Sequence, residues 1–257
     1  MLKKLFTFVV FAAVSLPSYS ANILAKSWLI ADGSGNIIEE ENINIQQPIA
    51  SITKLMTAIV VLDANENLKI PLKQKFRGLS VNKEQLLNLA IIKSDNQAAK
   101  MLCEIYHRGY KQCIEDMNSK AQVLGMYNTR FEDSSGLDNR NVSTPKDLVK
   151  LLLAAEKYPE IVYASNQSVG EILRFKKKKV LKWRYTNTNP LVAKYNVVVS
   201  KTGYVRASGG CLVMSVIIKD EKKLFVVLNS NTTRTRIRDM EQLIISTITT
   251  DSKSVHK

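Results

Sequence analysis

The 257-residue chain predicts an α/β fold: one antiparallel sheet built from both chain ends, with helices packed on it and a mostly helical lobe between. Three observations carry this prediction. A strand pair opens the sequence, helical periodicity fills its middle, and three Val/Ile-rich runs before an amphipathic stretch close it.

The elements follow in order. Ser27-Trp28-Leu29-Ile30-Ala31 and Ile37 to Ile45 read as strands, and Asp32-Gly33-Ser34-Gly35-Asn36 between them is hairpin turn chemistry. Ser51 to Asp63 reads as a helix carrying Leu55, Met56, Ile59, Val60 and Leu62. Asn82 to Ala90 and Ser94 to Tyr106 continue the helical character. Gln112 to Leu124 gives another helix, ended by Gly125. Thr144 and Pro145 suit the N-cap and first position of one more. After about Leu181 the texture changes. Tyr195 to Ser200, Cys211 to Lys219 and Leu224 to Asn229 read as strands, with Asp220-Glu221-Lys222-Lys223 as the last turn. Arg236 to Thr247 reads as a closing amphipathic helix.

The first residues have a different purpose. Met1-Leu2-Lys3-Lys4, an apolar run from Leu5 to Leu16, and Pro17-Ser18-Tyr19-Ser20-Ala21 have the layout of a secretory signal peptide. Residues 1–20 are therefore expected to be removed, leaving 21–257 as one domain. The run is too short to span a bilayer comfortably, and no later segment is long and apolar enough. The mature chain is expected to be soluble, without a transmembrane segment. A formal charge of +14 favours anionic partners, and export argues against nucleic acid. The run Arg174-Phe175-Lys176-Lys177-Lys178-Lys179 reads as a solvated face or an anion-binding patch.

Cysteine and histidine usage narrows the chemistry. Cys103, Cys113 and Cys211 match no zinc spacing. Cys103 and Cys113 are close enough in sequence to pair in an oxidising compartment, but all three read first as small buried side chains. With only His107 and His256, a Ser-His-Asp triad or a histidine-rich metal site is not expected, and no metal or cofactor is called for.

Three short patterns carry chemistry. Ser51-Ile52-Thr53-Lys54 is S-x-x-K, Ser94-Asp95-Asn96 is S-D-N, and Lys201-Thr202-Gly203 is K-T-G. S-x-x-K also occurs at Ser80/Lys83, Ser143/Lys146 and Ser254/Lys257, and S-x-N at Ser20/Asn22 and Ser34/Asn36. Only K-T-G is unique, so context decides. Ser51 opens an apolar helix after Pro48, whereas Ser80 and Ser143 precede polar, surface-like segments. Residues three apart share a helix face, which brings the Lys54 amine to the Ser51 hydroxyl.

A serine hydroxyl needs a base to become a nucleophile. Lys54 can serve if its pKa falls by about three units, roughly 4 kcal/mol of differential interaction. Burial and a second cation, Lys201, supply such a shift. Lys201 would also attract a substrate carboxylate. Ser94 is placed to relay a proton to the leaving amine, and Asn96 to hold the substrate backbone. Gly203 lets substrate approach the strand of Thr202 closely. The N–H groups of Ser51 and Tyr204 would form the oxyanion hole.

These residues resemble the low-molecular-mass penicillin-binding proteins, the serine D-Ala-D-Ala peptidases. The likeness runs from about Trp28 to Arg238. It includes Pro48-Ile49-Ala50 before Ser51, Met117-Asn118, Leu124-Gly125-Met126, Ser135-Gly136-Leu137, Asn187-Thr188-Asn189 and Cys211-Leu212-Val213-Met214. Val61-Leu62-Asp63-Ala64, and the chain's end soon after its final helix, are most similar to the endopeptidases of this family. The resemblance implies a β-lactamase/transpeptidase-like fold and a periplasmic enzyme acylated at Ser51. Its substrates would be peptidoglycan stem peptides or cross-links, with endopeptidase action preferred over carboxypeptidase, and β-lactam antibiotics would inhibit it as substrate mimics. Two departures stand out. Val205, followed by Arg206, replaces the Thr or Ser usual two residues after the K-T-G glycine, and the segment from Asn65 to Asn82 is short. Alternatives are a non-catalytic β-lactam or peptidoglycan sensor and a serine β-lactamase. The latter lacks the class A Glu with its Leu-Asn context between Ser94 and Lys201.

Overall fold

The computed structural model describes residues 22–176 and 179–254. The signal peptide expected at 1–20 lies outside these residues, as do Lys177 and Lys178 of the basic run.

In chain order the elements are β1 (Ser27–Asp32), β2 (Ile37–Glu41), β3 (Gln47–Pro48), a 3-10 turn (Ala50–Ile52), α1 (Thr53–Asp63), α2 (Lys83–Ile92), α3 (Asn96–Glu104) and α4 (Gly109–Val123). Then come β4 (Val142–Ser143), α5 (Pro145–Ala155), α6 (Pro159–Asn166), β5 (Val169–Lys176), β6 (Lys179–Thr186), a 3-10 turn (Pro190–Ala193), β7 (Asn196–Val205), β8 (Gly209–Ile218), β9 (Glu221–Ser230) and α7 (Thr233–Ser254). The main sheet has the order β2-β1-β9-β8-β7, with every neighbouring pair antiparallel. The expected closure of one sheet by both chain ends is what forms.

Alternation in the strands explains the layering. Leu29, Ala31, Leu224, Val226 and Leu228 join the large core shared with α1 and the helical lobe. Their neighbours Ile30, Phe225 and Val227 point the other way, where α7 covers them with Met240, Leu243 and Ile244. Helix α1 is buried from Thr53 to Val61, so it is a central helix with no solvent stripe. The predicted cap forms, since the Thr144 hydroxyl accepts from Asp147 N ahead of Pro145. A capping box of Asn82 and Gln85, not predicted from the sequence, starts α2.

Several expectations are corrected. Ser94 is not helical: it sits at φ +58°, and α3 starts at Asn96 with Asp95 as its N-cap, accepting from Ala98 N. The last hairpin turns at Lys219 and Asp220, both at positive φ, while Glu221, Lys222 and Lys223 belong to β9. Ion pairs Lys222–Glu156 and Lys223–Glu221 let those charged residues lie in a strand. The β5–β6 hairpin and α6 were not foreseen. The preference for three unpaired cysteines fails as well: Cys103 and Cys113 form a disulfide, Cα atoms 5.5 Å apart. The reversal between α3 and α4 is what brings them together. Cys211 stays a buried free thiol.

Candidate active site

Ser51 sits in the 3-10 turn that leads into α1, and the residue before it, Ala50, holds a left-handed φ of +46°. Strain of that kind in a non-glycine residue persists only where surroundings enforce it. The enforcing contact is Gly136, at φ +81°, where an added Cβ would lie 1.8 Å from the Ala50 carbonyl oxygen. No side chain fits between these two backbones.

One turn on, Lys54 is fully buried. Its Nζ donates to Ser51 Oγ at 2.7 Å, to Asn96 Oδ1 at 2.8 Å and to the Ser135 carbonyl at 2.6 Å. Burial pushes this amine from 10.5 down to about 7, against the opposing pull of Asp133 and Asp95. The helix spacing thus delivers the amine to the hydroxyl as expected. It adds something unforeseen, because Asn96 meets the lysine itself.

The second amine comes from the sheet. Lys201 on β7 is buried and donates to Ser94 Oγ at 2.8 Å and to the Thr202 carbonyl at 3.0 Å. Burial, then the charges of Lys54 and Arg236, hold it well below the ordinary lysine range. Thr202 shares a 2.5 Å hydroxyl contact with Thr188. At Gly203 an added Cβ would come within 2.8 Å of the Ile49 carbonyl and 3.1 Å of Ser51 N. The K-T-G strand therefore runs directly against the nucleophile turn, with Tyr204, an exposed residue, next along it. Ser51, Lys54, Ser94, Asn96, Lys201, Thr202 and Gly203 are thereby joined in one constellation.

The competing S-x-x-K copies fall elsewhere. Ser143 is buried, not surface-like, and bonds Thr129 Oγ1 at 2.7 Å. Lys83 pairs with Glu66. Val205 is half-buried and its N–H donates to Ser208 Oγ, while Arg206 is exposed on the turn to β8.

Sequence reasoning missed residues that hold the site. Arg236 at the start of α7 is buried and donates from Nη1 to the Gly203 carbonyl at 2.7 Å, and its Nε is buried without a hydrogen-bond partner among the described residues. Asp133 organises the turn that presents the Ser135 carbonyl. Asn141 donates to both Thr53 Oγ1 and the Asp133 carbonyl. Among the described residues no group of His, Cys, Asp or Glu is placed to hold a metal ion, and no helix is long and apolar enough to cross a membrane.

Such an arrangement suits acyl transfer without histidine. A buried amine near neutrality faces a hydroxyl, and a second hydroxyl–amine pair stands beside it. The family described as D-alanyl-D-alanine carboxypeptidase matches residues 13–78 and 74–232. A D-alanyl-D-alanine endopeptidase of Escherichia coli K12 is 36% identical, over 91% of this chain and 83% of the relative. One of Pseudomonas aeruginosa is 35% identical, over 84% and 75%. Among solved structures, the Streptomyces K15 DD-transpeptidase is similar with a TM-score of 0.82 at 25% identity, covering 88% of this chain and 97% of that one. Penicillin-binding protein D2 of Listeria monocytogenes, in an ampicillin-bound form, gives 0.75 at 26% identity, covering 87% and 97%.

Proposed function

The chain belongs to the D-alanyl-D-alanine carboxypeptidase family of serine peptidases, and from that premise we propose that Ser51 is the residue acylated and Lys54 the base that activates it. As a member it is a serine D,D-peptidase of peptidoglycan with a transpeptidase-like α/β fold. The observation that carries the site assignment is the 2.7 Å contact of a fully buried Lys54 amine with the Ser51 hydroxyl.

The steps follow from position. Lys54 Nζ takes the Ser51 proton as Oγ attacks the D-alanyl carbonyl, and the oxyanion forms against the N–H groups of Ser51 and Tyr204. Ser94, bonded to Lys201, hands a proton to the leaving amine, the C–N bond breaks, and a Ser51 ester remains for water to hydrolyse. Asn96 and Lys201 orient the peptide and its carboxylate, with Thr202 and Gly203 forming the strand edge it lies on. A β-lactam presents the same amide in a ring, so it acylates Ser51 by the same route. Endopeptidase action is favoured, since the relatives at 35–37% identity are named endopeptidases and Val205 removes a hydroxyl suited to a free terminal carboxylate. Residues 1–20 act as an export signal, and residues 21–257 work as the catalytic domain in the periplasm.

The test uses purified protein with a fluorescent penicillin and, separately, cross-linked muropeptides followed by mass spectrometry. Release of un-cross-linked muropeptides is expected. Loss of terminal D-Ala alone means a carboxypeptidase, stable labelling without cleavage a sensor, and fast penicillin turnover a β-lactamase. Ser51→Ala should not label at all, and Lys54→Ala should label about 10⁴-fold more slowly. Normal labelling of either variant moves the centre elsewhere.

A further inference from the structure

We propose that Asp133 is a positioning residue for the acyl transfer: its carboxylate folds segment 134–138 into a tight turn whose Ser135 carbonyl holds the Lys54 amine against Ser51. The inference rests on the assignment of Ser51 and Lys54 made above. Asp133 Oδ1 accepts from Ser135 N at 2.5 Å, Gly136 N at 2.6 Å and Ser135 Oγ at 2.8 Å, and Oδ2 accepts from Asp138 N at 2.6 Å. Three amides and a hydroxyl converging on one carboxylate fix the direction of the carbonyls between them.

Those carbonyls meet α1 in succession. Thr57 Oγ1 donates to the Ser134 carbonyl at 2.7 Å, and Lys54 Nζ to the Ser135 carbonyl at 2.6 Å. The next residue, Gly136, is the one pressed on the Ala50 backbone. One turn therefore fixes both the base and the strained residue preceding the nucleophile. Its upstream end is clamped too, since Asn141 Oδ1 accepts from Asp133 N at 3.1 Å while its amide grips α1 at Thr53.

Charge adds a second effect. The ionised groups acting on the Lys54 amine come from three elements: Asp133 from this turn, Asp95 from the cap of α3, and Lys201 from β7. Asp95 is paired with Arg77 at 2.8 Å. Asp133 enters no ion pair among the described residues, so its field on Lys54 is not offset by a cation of its own. It favours the protonated amine and limits how far burial lowers it.

The experiment measures acylation by fluorescent penicillin against pH, with folding checked by thermal denaturation. Asp133→Asn is expected to slow acylation about 100-fold, the scale of a small misplacement of a reacting group, and to move the acid limb of the rate profile to lower pH. Asp133→Glu should slow acylation and leave that limb in place. Thr57→Val, which cuts the neighbouring anchor without altering charge, should also leave it in place. The proposal is overturned if Asp133→Asn matches the wild type, if it is slow with an unmoved limb, or if Thr57→Val moves the limb as Asp133→Asn does. Should Asp133→Asn not fold, Asp133→Glu decides, and wild-type behaviour there overturns the proposal. Labelling of Ser51→Ala in parallel would instead sink the nucleophile assignment.

Discussion

The Arg236 guanidinium, carried by the closing helix, donates to the Gly203 carbonyl of the K-T-G strand at 2.7 Å, with both groups buried. That bond fastens the C-terminal end of the fold to the strand lying against Ser51. Arg236→Leu should cost about 1–3 kcal/mol of stability, the range for a buried acceptor left unsatisfied. Urea denaturation measures it, and an unchanged midpoint would show that the bond adds nothing.

Acylation should depend on pH through Lys54. With its amine near 7 in the folded state and 10.5 as the reference, the rate should fall as pH drops through about 7. Stopped-flow acylation between pH 5.5 and 8.5 checks this, and a flat profile refutes it.

The same shift predicts a stability slope. Between about pH 7 and 10.5 the unfolded lysine binds a proton that the folded one does not, so stability rises with pH across that window. Lys54 contributes at most about 1.4 kcal/mol per pH unit to that slope. Lys54→Met should make the slope shallower and leave the share of Lys201, also held below the ordinary lysine range, and chemical denaturation of both proteins at pH 7, 8 and 9 makes the comparison.

Val205→Thr restores a hydroxyl beside the K-T-G glycine. One additional hydrogen bond of about 1 kcal/mol corresponds to about fivefold. The expected outcome is a gain of that size in D-Ala release from a stem pentapeptide, measured as kcat/KM, with cross-link cleavage gaining less. Equal gains on both substrates would remove Val205 as a determinant of preference.

Cleaving the Cys103–Cys113 bond with a reductant, or making Cys103→Ser, should cost about 2–3 kcal/mol for a separation of 10 residues. Coincident urea transitions in oxidised and reduced protein would contradict this.

Much of the architecture was legible because it rests on local patterns. The Val/Ile-rich runs of β8 and β9 and the apolar residues of α1 identify themselves, and i, i+3 spacing is enough to bring Lys54 to Ser51. What stayed hidden depends on distance in space. Arg236 looks like its neighbours Arg234 and Arg238 until the helix docks. Asp133 shows its purpose only through the amides that surround it. The β5–β6 hairpin alternates Lys and Arg with apolar residues, and its charges masked its strand character. Sequence periodicity alone makes Ser94 helical, because its left-handed backbone is imposed by neighbours and not by its own preference.

The strand order has a kinetic meaning. β1 lies between β2 and β9, so the first strand made pairs with the last, about two hundred residues later. The centre of the sheet is incomplete until nearly the whole polypeptide has emerged, and contacts so distant along the chain make assembly slow. For the export proposed from residues 1–20, this topology leaves a long interval in which a nascent chain is still unfolded.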